Sequence, residues 1–373
     1  MKSKKIKIIH IITTLGLGGA EKVLFNILKN NNDKYFEHQV ICLNSGGYVK
    51  NEIKKLKIKI HSLELNKKFF KGIINCYLIL KKFQNKENII IQTWLPHSDL
   101  IGGLISKICG YKKIIWNIRI SNFSKNSFKF RTLVIILINS LLSYFIPKKI
   151  ISCSVAGINA HKRFGYNKKI FYLIHNGFDK VKIRNRSLKI SKNFTIGMFS
   201  RYHKVKNHEY LFKALSILNK KNLKFKLLLL GPNINLRNKE LINNLKLNNI
   251  IKNTIFINKK KIFDVNKYFA YIDLYILCSK TEGFPNILSE AIINGVKVLS
   301  TDVGDAKLML SNKSEIIPRD NLAKFSQKIK KVLKLHELSE KSYNNSKKYS
   351  SIFYKKFSQS KMINKYQKIW KTI

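Results

Sequence analysis

The feature that most constrains this chain is a regular alternation of short β-branched runs with longer amphipathic ones. In the first half KIKIIHII, HQVICLN, KIKIHSL, NIIIQTW, KIIWNIR, KIISCS and IFYLIHN read as strands. AEKVLFNILKN and SDLIGGLISKICG, among the intervening segments, place apolar residues three and four apart, as helices do. Strand–helix–strand repetition of this kind implies an α/β chain with a mostly parallel sheet covered on both faces. The pattern lapses between Val181 and Asn193, then resumes with FTIGMFS, FKLLLLG, TIFIN, DLYILCS and KVLSTD. A helix is expected from about Lys206, others near Leu236 and after Pro285, and a last one over FSQSKMINKYQKIW. With 373 residues, two doubly wound domains are the natural division. The boundaries expected are 1–180, a linker at 181–193, a second domain at 194–355 and a C-terminal helix at 356–373 crossing back to the first domain. Two such domains facing a central cleft would hold ligands outside the carboxyl ends of their strands.

Composition narrows the class. Hydrophobic residues make up 45% of the chain, enough for full cores. The five cysteines have neither CxxC nor metal-ligand spacing, which suits a reducing cytosol. The basic, apolar start MKSKKIKIIHIITTLGLGGAEK imitates an export signal. Its interruption by His10, Thr13 and Thr14 and the Gly-rich turn after it read instead as a first core strand. The formal charge of +52, from 72 Lys+Arg against 20 Asp+Glu, favours anionic partners. The lysines are spread through every segment, which supports a membrane surface more than a specific nucleic acid. Thr132–Pro147 is apolar but too short and too polar to span a bilayer, and suits a buried or membrane-surface helix.

TEGFPNILSEAIING, from Thr281 to Gly295, carries Glu282 and Glu290 on either side of a strand-to-helix turn. Pro285 fits the first helical position, placing Glu282 on the loop and Glu290 about a turn into the helix. Carboxylates accept from sugar or ribose hydroxyls, and the N–H groups of a helix start favour phosphate; together they suit a nucleotide sugar. Spacing alone leaves a blander reading open, in which Glu282 is a first-turn acid and Glu290 a solvated helix position.

SKTEGFPNILSEAIINGVKVLSTDVGD resembles the donor-binding signature of the retaining GT-B glycosyltransferases, family 4 of the sequence-based classification (glycosyl transferases group 1). The resemblance implies that Glu282 meets hydroxyls of the transferred sugar and Glu290 the nucleoside ribose. The backbone of Gly283, Phe284 and Pro285, with Asn286, would then lie along the donor. FSRYHKVKNHEYLFKAL is similar to the same family's G-R-x-x-x-x-K-N-H segment, with Ser200 in place of the glycine. Arg201 and Lys206 would there converge on the diphosphate, where the charge of the leaving group grows.

Weaker signals follow. Gly16, Gly18 and Gly19 open the first helix, as in the family's G-G-A-E segment, where the loop borders the donor phosphates and acceptor. A nicotinamide site is disfavoured because no acid ends the second strand. His97, in QTWLPHSDLIGG, and Arg119, in IIWNIRISN, follow strands on the expected acceptor side, near the reacting sugar. A lone histidine there serves equally well as a cap or packing residue. Asn176, Gly177 and Asp179 resemble an N-G-V-D hinge, and Gly231 the usual glycine after a second-domain strand. A lysine run, Lys259–Lys261, replaces another family glycine.

The resemblance implies an enzyme that moves a sugar from a UDP- or GDP-sugar to a saccharide or polyprenyl-linked acceptor, with retention, in surface polysaccharide assembly. No D-x-D motif is present in a suitable loop, so no metal requirement is expected, and Arg201 with Lys206 would serve instead. The protein would be cytoplasmic and peripherally bound to the anionic inner membrane face. The competing readings are a sugar-nucleotide epimerase on the same fold and a basic nucleic-acid or membrane scaffold without catalysis.

Overall fold

The computed structural model describes residues 5–31, 33, 35–121, 123, 130–181, 193–257, 265–338 and 341–373, without the side chains of 336–338 and 341–345. Most of the expected linker and all of Lys259–Lys261 lie outside the described residues. The chain divides into two units, Met1–Gly177 with Gln359–Ile373, and Phe178–Ser358.

The first unit holds seven strands: β1 (Ile6–Ile12), β2 (Phe36–Cys42), β3 (Lys59–Ser62), β4 (Ile89–Trp94), β5 (Ile114–Ile118), β6 (Lys149–Ser152) and β7 (Phe171–Leu173). Between them run α1 (Gly19–Lys29), α2 (Tyr48–Lys55), α3 (Phe69–Lys81), α4 (Pro96–Ile108), α5 (Phe130–Leu142) and α6 (Val155–Arg163). The strand order is β3-β2-β1-β4-β5-β6-β7, and every pair is parallel. β4 and β5 are buried at every residue, so they read as mostly apolar runs, broken by the buried polar Gln92, Thr93 and Asn117, and not as alternations.

The second unit contains β8 (Phe194–Phe199), α7 (His208–Lys220), β9 (Phe225–Leu230), α8 (Lys239–Leu247) and β10 (Thr254–Ile257). It continues with β11 (Leu274–Leu277), α9 (Asn286–Ile293), β12 (Lys297–Thr301), α10 (Ala306–Met309), β13 (Ile316–Ile317), α11 (Leu322–Leu338) and α12 (Lys341–Lys356). Its sheet, also parallel, has the order β10-β9-β8-β11-β12-β13. The alternation in the sequence foretold five of these six strands. β13 has only two residues, too few for a periodicity to show. The helix expected from Lys206 starts at His208, because Lys204–Lys206 form a 3-10 turn and Asn207 takes a left-handed conformation, φ 57°. Each unit has its own apolar core, built on Ile9, Ile91 and Trp116 in the first and on Ile196, Leu229 and Phe325 in the second.

The last helix, α13 (Gln359–Lys371), belongs to the first unit. Trp370 and Tyr366 are buried there. The Trp370 indole donates to Gln92 Oε1 at 2.8 Å, and Asn117 Nδ2 donates to the Tyr366 hydroxyl at 2.8 Å.

Candidate active site

In the second unit the loops after β8 and β11 are laced together. Lys280 N donates to the Val205 carbonyl at 2.8 Å, tying the two loops by their backbones. Above that tie, Lys206 Nζ lies 2.5 Å from Glu282 Oε1, and Ser279 Oγ donates to the same oxygen at 2.6 Å. The side chains of Lys206 and Glu282 keep 20% and 16% of their surface exposed, so the pair is sheltered but open to a ligand. Two sequence segments 76 residues apart therefore meet at one charged point.

Small residues hold these loops in place. Gly231, at the end of β9, has φ 150°, and a Cβ there would lie 2.2 Å from the Ser200 carbonyl oxygen. Gly304 has φ 54°, and its Cβ would meet the Gly283 and Glu282 carbonyl oxygens at 2.2 and 2.3 Å. Next to it Asp305 N donates to the Gly283 carbonyl at 2.9 Å, fixing the loop that carries Glu282. Thr301 Oγ1 donates to the Ser279 carbonyl at 2.8 Å from the end of β12. Ser279, Thr301, Gly304 and Asp305 were not singled out in the sequence. The signal for three of them was present, since S-x-x-E and V-G-D flank the glutamate motif.

Pro285 corrects a detail. It is the N-cap of α9, φ −73° and ψ 91°, so Asn286 and not Pro285 is the first helical residue. The Pro285 carbonyl accepts from Leu288 N and Ser289 N at 3.1 and 3.2 Å. Glu290 follows as the fifth residue of the helix and is buried. The helix ends at Asn294 and turns at Gly295, φ 71°, where a left-handed residue normally closes a helix. Phe284 turns its ring inward, stacked on Phe178 at 6.3 Å and edge-on to Phe357 at 5.5 Å.

Arg201 is exposed. Beneath the loop it shares, His208 is buried against Ser200 Oγ at 3.2 Å; burial and then Lys206 press its pKa down to about 3, so the ring is neutral. Tyr275, on β11, is wholly buried, and burial together with Glu282 and Glu290 holds its phenol well above the usual range.

The first unit brings its own candidates to the carboxyl ends of β1 and β4. Gly18 is the N-cap of α1, and a Cβ there would strike the Glu21 carboxylate, which accepts from Thr14 Oγ1 at 2.8 Å. Gly19 opens that helix, and nothing crowds Gly16. Gly47 is hemmed in by backbone, a Cβ there falling 2.4 Å from the Leu15 carbonyl oxygen. Thr13 Oγ1 and Ser98 Oγ lie 2.9 Å apart, binding the glycine loop to the start of α4. His97, the second residue of α4, is half-buried, with its pKa lowered by that burial. Arg119 is otherwise engaged. Nη1 donates to Asn176 Oδ1, Nη2 donates to the Tyr366 hydroxyl at 2.9 Å, and the guanidinium sits 5.0 Å from the centre of a Trp94 ring.

Residues 179–349 match the family Glycosyl transferases group 1. The chain carries a glycosyl transferases group 1 domain. That domain spans both laced loops, from before Arg201 to beyond Asp305. Among curated relatives, the capsular polysaccharide biosynthesis glycosyltransferase CapH of Staphylococcus aureus is 25% identical over 307 residues, 80% of this chain and 82% of its own. The putative glycosyltransferase EpsF of Bacillus subtilis is 20% identical over 330 residues, 81% of this chain and 80% of its own. Among solved structures, Anabaena Alr3699/HepE in complex with UDP-glucose superposes with a TM-score of 0.81. That alignment covers 99% of this chain and 100% of HepE at 17% identity. The fold is therefore the GT-B architecture, two Rossmann-like domains each on a parallel sheet.

Proposed function

We propose that this protein is a retaining glycosyltransferase of family 4 that takes a sugar from a UDP- or GDP-sugar. The acceptor is a saccharide or polyprenyl-linked saccharide in surface polysaccharide assembly. The observation that supports it is the Lys206–Glu282–Ser279 cluster, set on two laced strand-end loops inside a glycosyl transferases group 1 domain. In this reading Glu282 accepts from hydroxyls of the transferred sugar and Glu290 from the ribose. Gly283, Phe284, Pro285 and Asn286 line the donor. Lys206 and Arg201 stabilise the diphosphate as the sugar–phosphate bond breaks, a task for preorganised cations at the point where charge develops. Lys206 is held by Glu282 before a donor arrives and would then be shared between carboxylate and phosphate. Gly231 keeps the Arg201 loop in place. His97 serves the acceptor side. In this reading the acceptor oxygen bonds to the sugar's anomeric carbon on the face from which the sugar–phosphate bond breaks, the departing phosphate takes the acceptor proton, and Glu282 is not a nucleophile. The names of CapH and HepE agree with a polysaccharide product and a uridine donor. We place the protein in the cytoplasm, peripherally on the inner membrane face; among the described residues no helix is long and apolar enough to cross a membrane.

The test is binding of a nucleotide-sugar panel to the purified protein, with Glu290→Ala and Arg201→Ala alongside. Saturable binding of one nucleotide, weakened in both variants, is expected. Binding to none by a folded protein would remove the donor reading. Once a donor and acceptor are known, the anomeric configuration of the product, read by NMR, decides retention.

A further inference from the structure

Among the described residues, 21 large apolar side chains stand exposed, and 13 of them lie on α3, α4, α5 or the turn after α5. These helices share one face of the first sheet. The crossovers β3→β4, β4→β5 and β5→β6 all step the same way across the strand order, and right-handed crossovers then put their helices on one side. Their inner sides enter one core through Cys76 and Leu80, Ile105, and Ile136. Their outer sides repeat at four-residue intervals: Phe70, Ile74 and Leu78 on α3, Leu104 and Ile108 on α4, Leu137 and Leu141 on α5. Each helix thus carries an apolar stripe inward and a second one outward.

Charge identifies the occupant. The only acid on the three helices is Asp99, which is buried. Lys71, Lys81, Lys107 and Arg131 are exposed on them, and Lys67, Lys68, Lys82 and Lys148 stand at their ends. Apolar stripes edged mostly with cations, against Glu64 and Glu87 near the ends of α3, match a bilayer whose headgroups are negative. A second copy of this chain would bring the same positive charge against it, which opposes self-association.

We propose that the outer face of α3, α4 and α5 docks on an anionic lipid bilayer, with the three helices lying along the headgroup plane. Helices of a parallel sheet run against their strands, so the starts of α3, α4 and α5 share the carboxyl edge of the sheet. Phe69, Phe70 and Phe130 are exposed at that edge, which also carries His97. A lipid-borne acceptor would therefore present its headgroup at the edge that holds His97. This last step rests on the polyprenyl-linked acceptor proposed above; the docking surface itself does not.

The experiment is flotation of the full-length protein with vesicles of phosphatidylcholine alone or with phosphatidylglycerol added. It compares wild type, the triple variant Phe70→Glu/Ile108→Glu/Leu141→Glu, and the control Leu236→Glu/Ile352→Glu, whose sites are exposed apolar residues of the second unit. Wild type and control should prefer the anionic vesicles, and the triple variant should lose at least about tenfold in partitioning, the equivalent of about 1.4 kcal/mol. Circular dichroism and nucleotide binding show that the variants are folded. Wild-type and triple variant floating equally would overturn the face while leaving membrane association standing. No flotation of wild type at low salt would overturn both, with donor binding still intact. A wild-type oligomer that the triple substitution dissolves would show that a second copy covers the face, and would also overturn the proposal.

Discussion

Lys206 and Arg119 are both cations just beyond a strand, both next to sequence motifs, yet they sit in opposite surroundings. Lys206 meets a carboxylate, Glu282, at a place still partly open to solvent. Arg119 meets an amide, a phenol and an indole face, all neutral, and ties β5 to the last helix. A charge paired with an opposite charge at a partly open edge can be re-paired by a ligand. A guanidinium whose two terminal nitrogens are taken up by the protein's own groups is a clasp. Position after a strand does not distinguish the two; the chemistry of the partners does.

The largest expected effect separates them directly. Lys206→Ala and Glu282→Ala should each lower kcat about 100- to 1000-fold, the scale on which loss of one preorganised donor acts. Their melting temperatures should move by no more than a few degrees, since the pair is partly exposed. Arg119→Ala should do the reverse, costing about 2 kcal/mol of stability through lost hydrogen bonds and the Trp94 contact. Arg119→Lys should recover little, because a point charge cannot bridge Asn176 and Tyr366 as a planar fork does. Thermal melts and turnover measured on the same preparations check both. A large activity loss in Arg119→Ala with an unchanged melt would break the comparison.

The units also differ in how acid should reach them. In the first, His10 and His38 are buried side by side, Nε2 to Nδ1 at 3.0 Å, with the Trp94 indole donating to His10 Nδ1 at 3.3 Å. Burial lowers the pKa of His10 well below the usual range and that of His38 to about 4, and also lowers that of His161 to about 4. Among the described side chains, the second unit has one fully sheltered histidine, His208, at about 3. A histidine with a depressed pKa stays neutral when folded while the unfolded chain takes up a proton. Its contribution is therefore complete above about pH 6.5 and is lost as pH falls, at about 1.4 kcal/mol per pH unit for each histidine. Asp99, raised to about 8 by burial, acts with the opposite sign between about pH 4 and 8 and cancels one of the three. Glu315, raised by burial, opposes His208 in the second unit. The first unit should thus unfold first between about pH 6 and 4. All three tryptophans, Trp94, Trp116 and Trp370, lie in it. Their fluorescence should change at higher pH than far-UV circular dichroism of the whole chain, and coincident transitions would remove the distinction.

How much of this was legible depended on the range of the interaction. Twelve of thirteen strands follow from apolar or β-branched runs, most plainly the central ones, where a parallel strand buried on both faces leaves a local mark. The Glu282 and Arg201 motifs were also local. What the sequence did not disclose were meetings across long separations: Lys206 with Glu282, Gly304 beneath Gly283, and Tyr366 with Arg119, 247 residues away. Arg119 read as an acceptor-side candidate from its place after a strand, and nothing near it in sequence revealed its bonds to Asn176 and Tyr366. The outward stripes on α3 and α4 were hidden for a related reason. Helices apolar on two sides look, residue by residue, like helices that are simply buried.

The smallest effect concerns the other strand-end candidate. Leu95 joins β4 to α4 with φ 76° and ψ 155°, a region that residues other than glycine rarely enter, at a cost of about 1–3 kcal/mol. The conformation is fixed on both sides: Leu95 N donates to the Asn117 carbonyl at 3.3 Å, and its own carbonyl accepts from Ser98 N and Asp99 N at 3.0 Å each. Asn139 Nδ2 also donates to the Pro96 carbonyl at 2.9 Å, just before His97. Leu95→Gly removes the strain but adds freedom to the unfolded chain and gives up a half-buried side chain, so the terms nearly offset. The expected net is a stabilisation of no more than about 1 kcal/mol, or a rise of about 2–4 °C in Tm. A rise in Tm with a fall in turnover would mean that the strained turn serves to hold His97. A fall in Tm with turnover unchanged would mean that the leucine is there for its contacts, and would set the start of α4 beside Arg119 as structure.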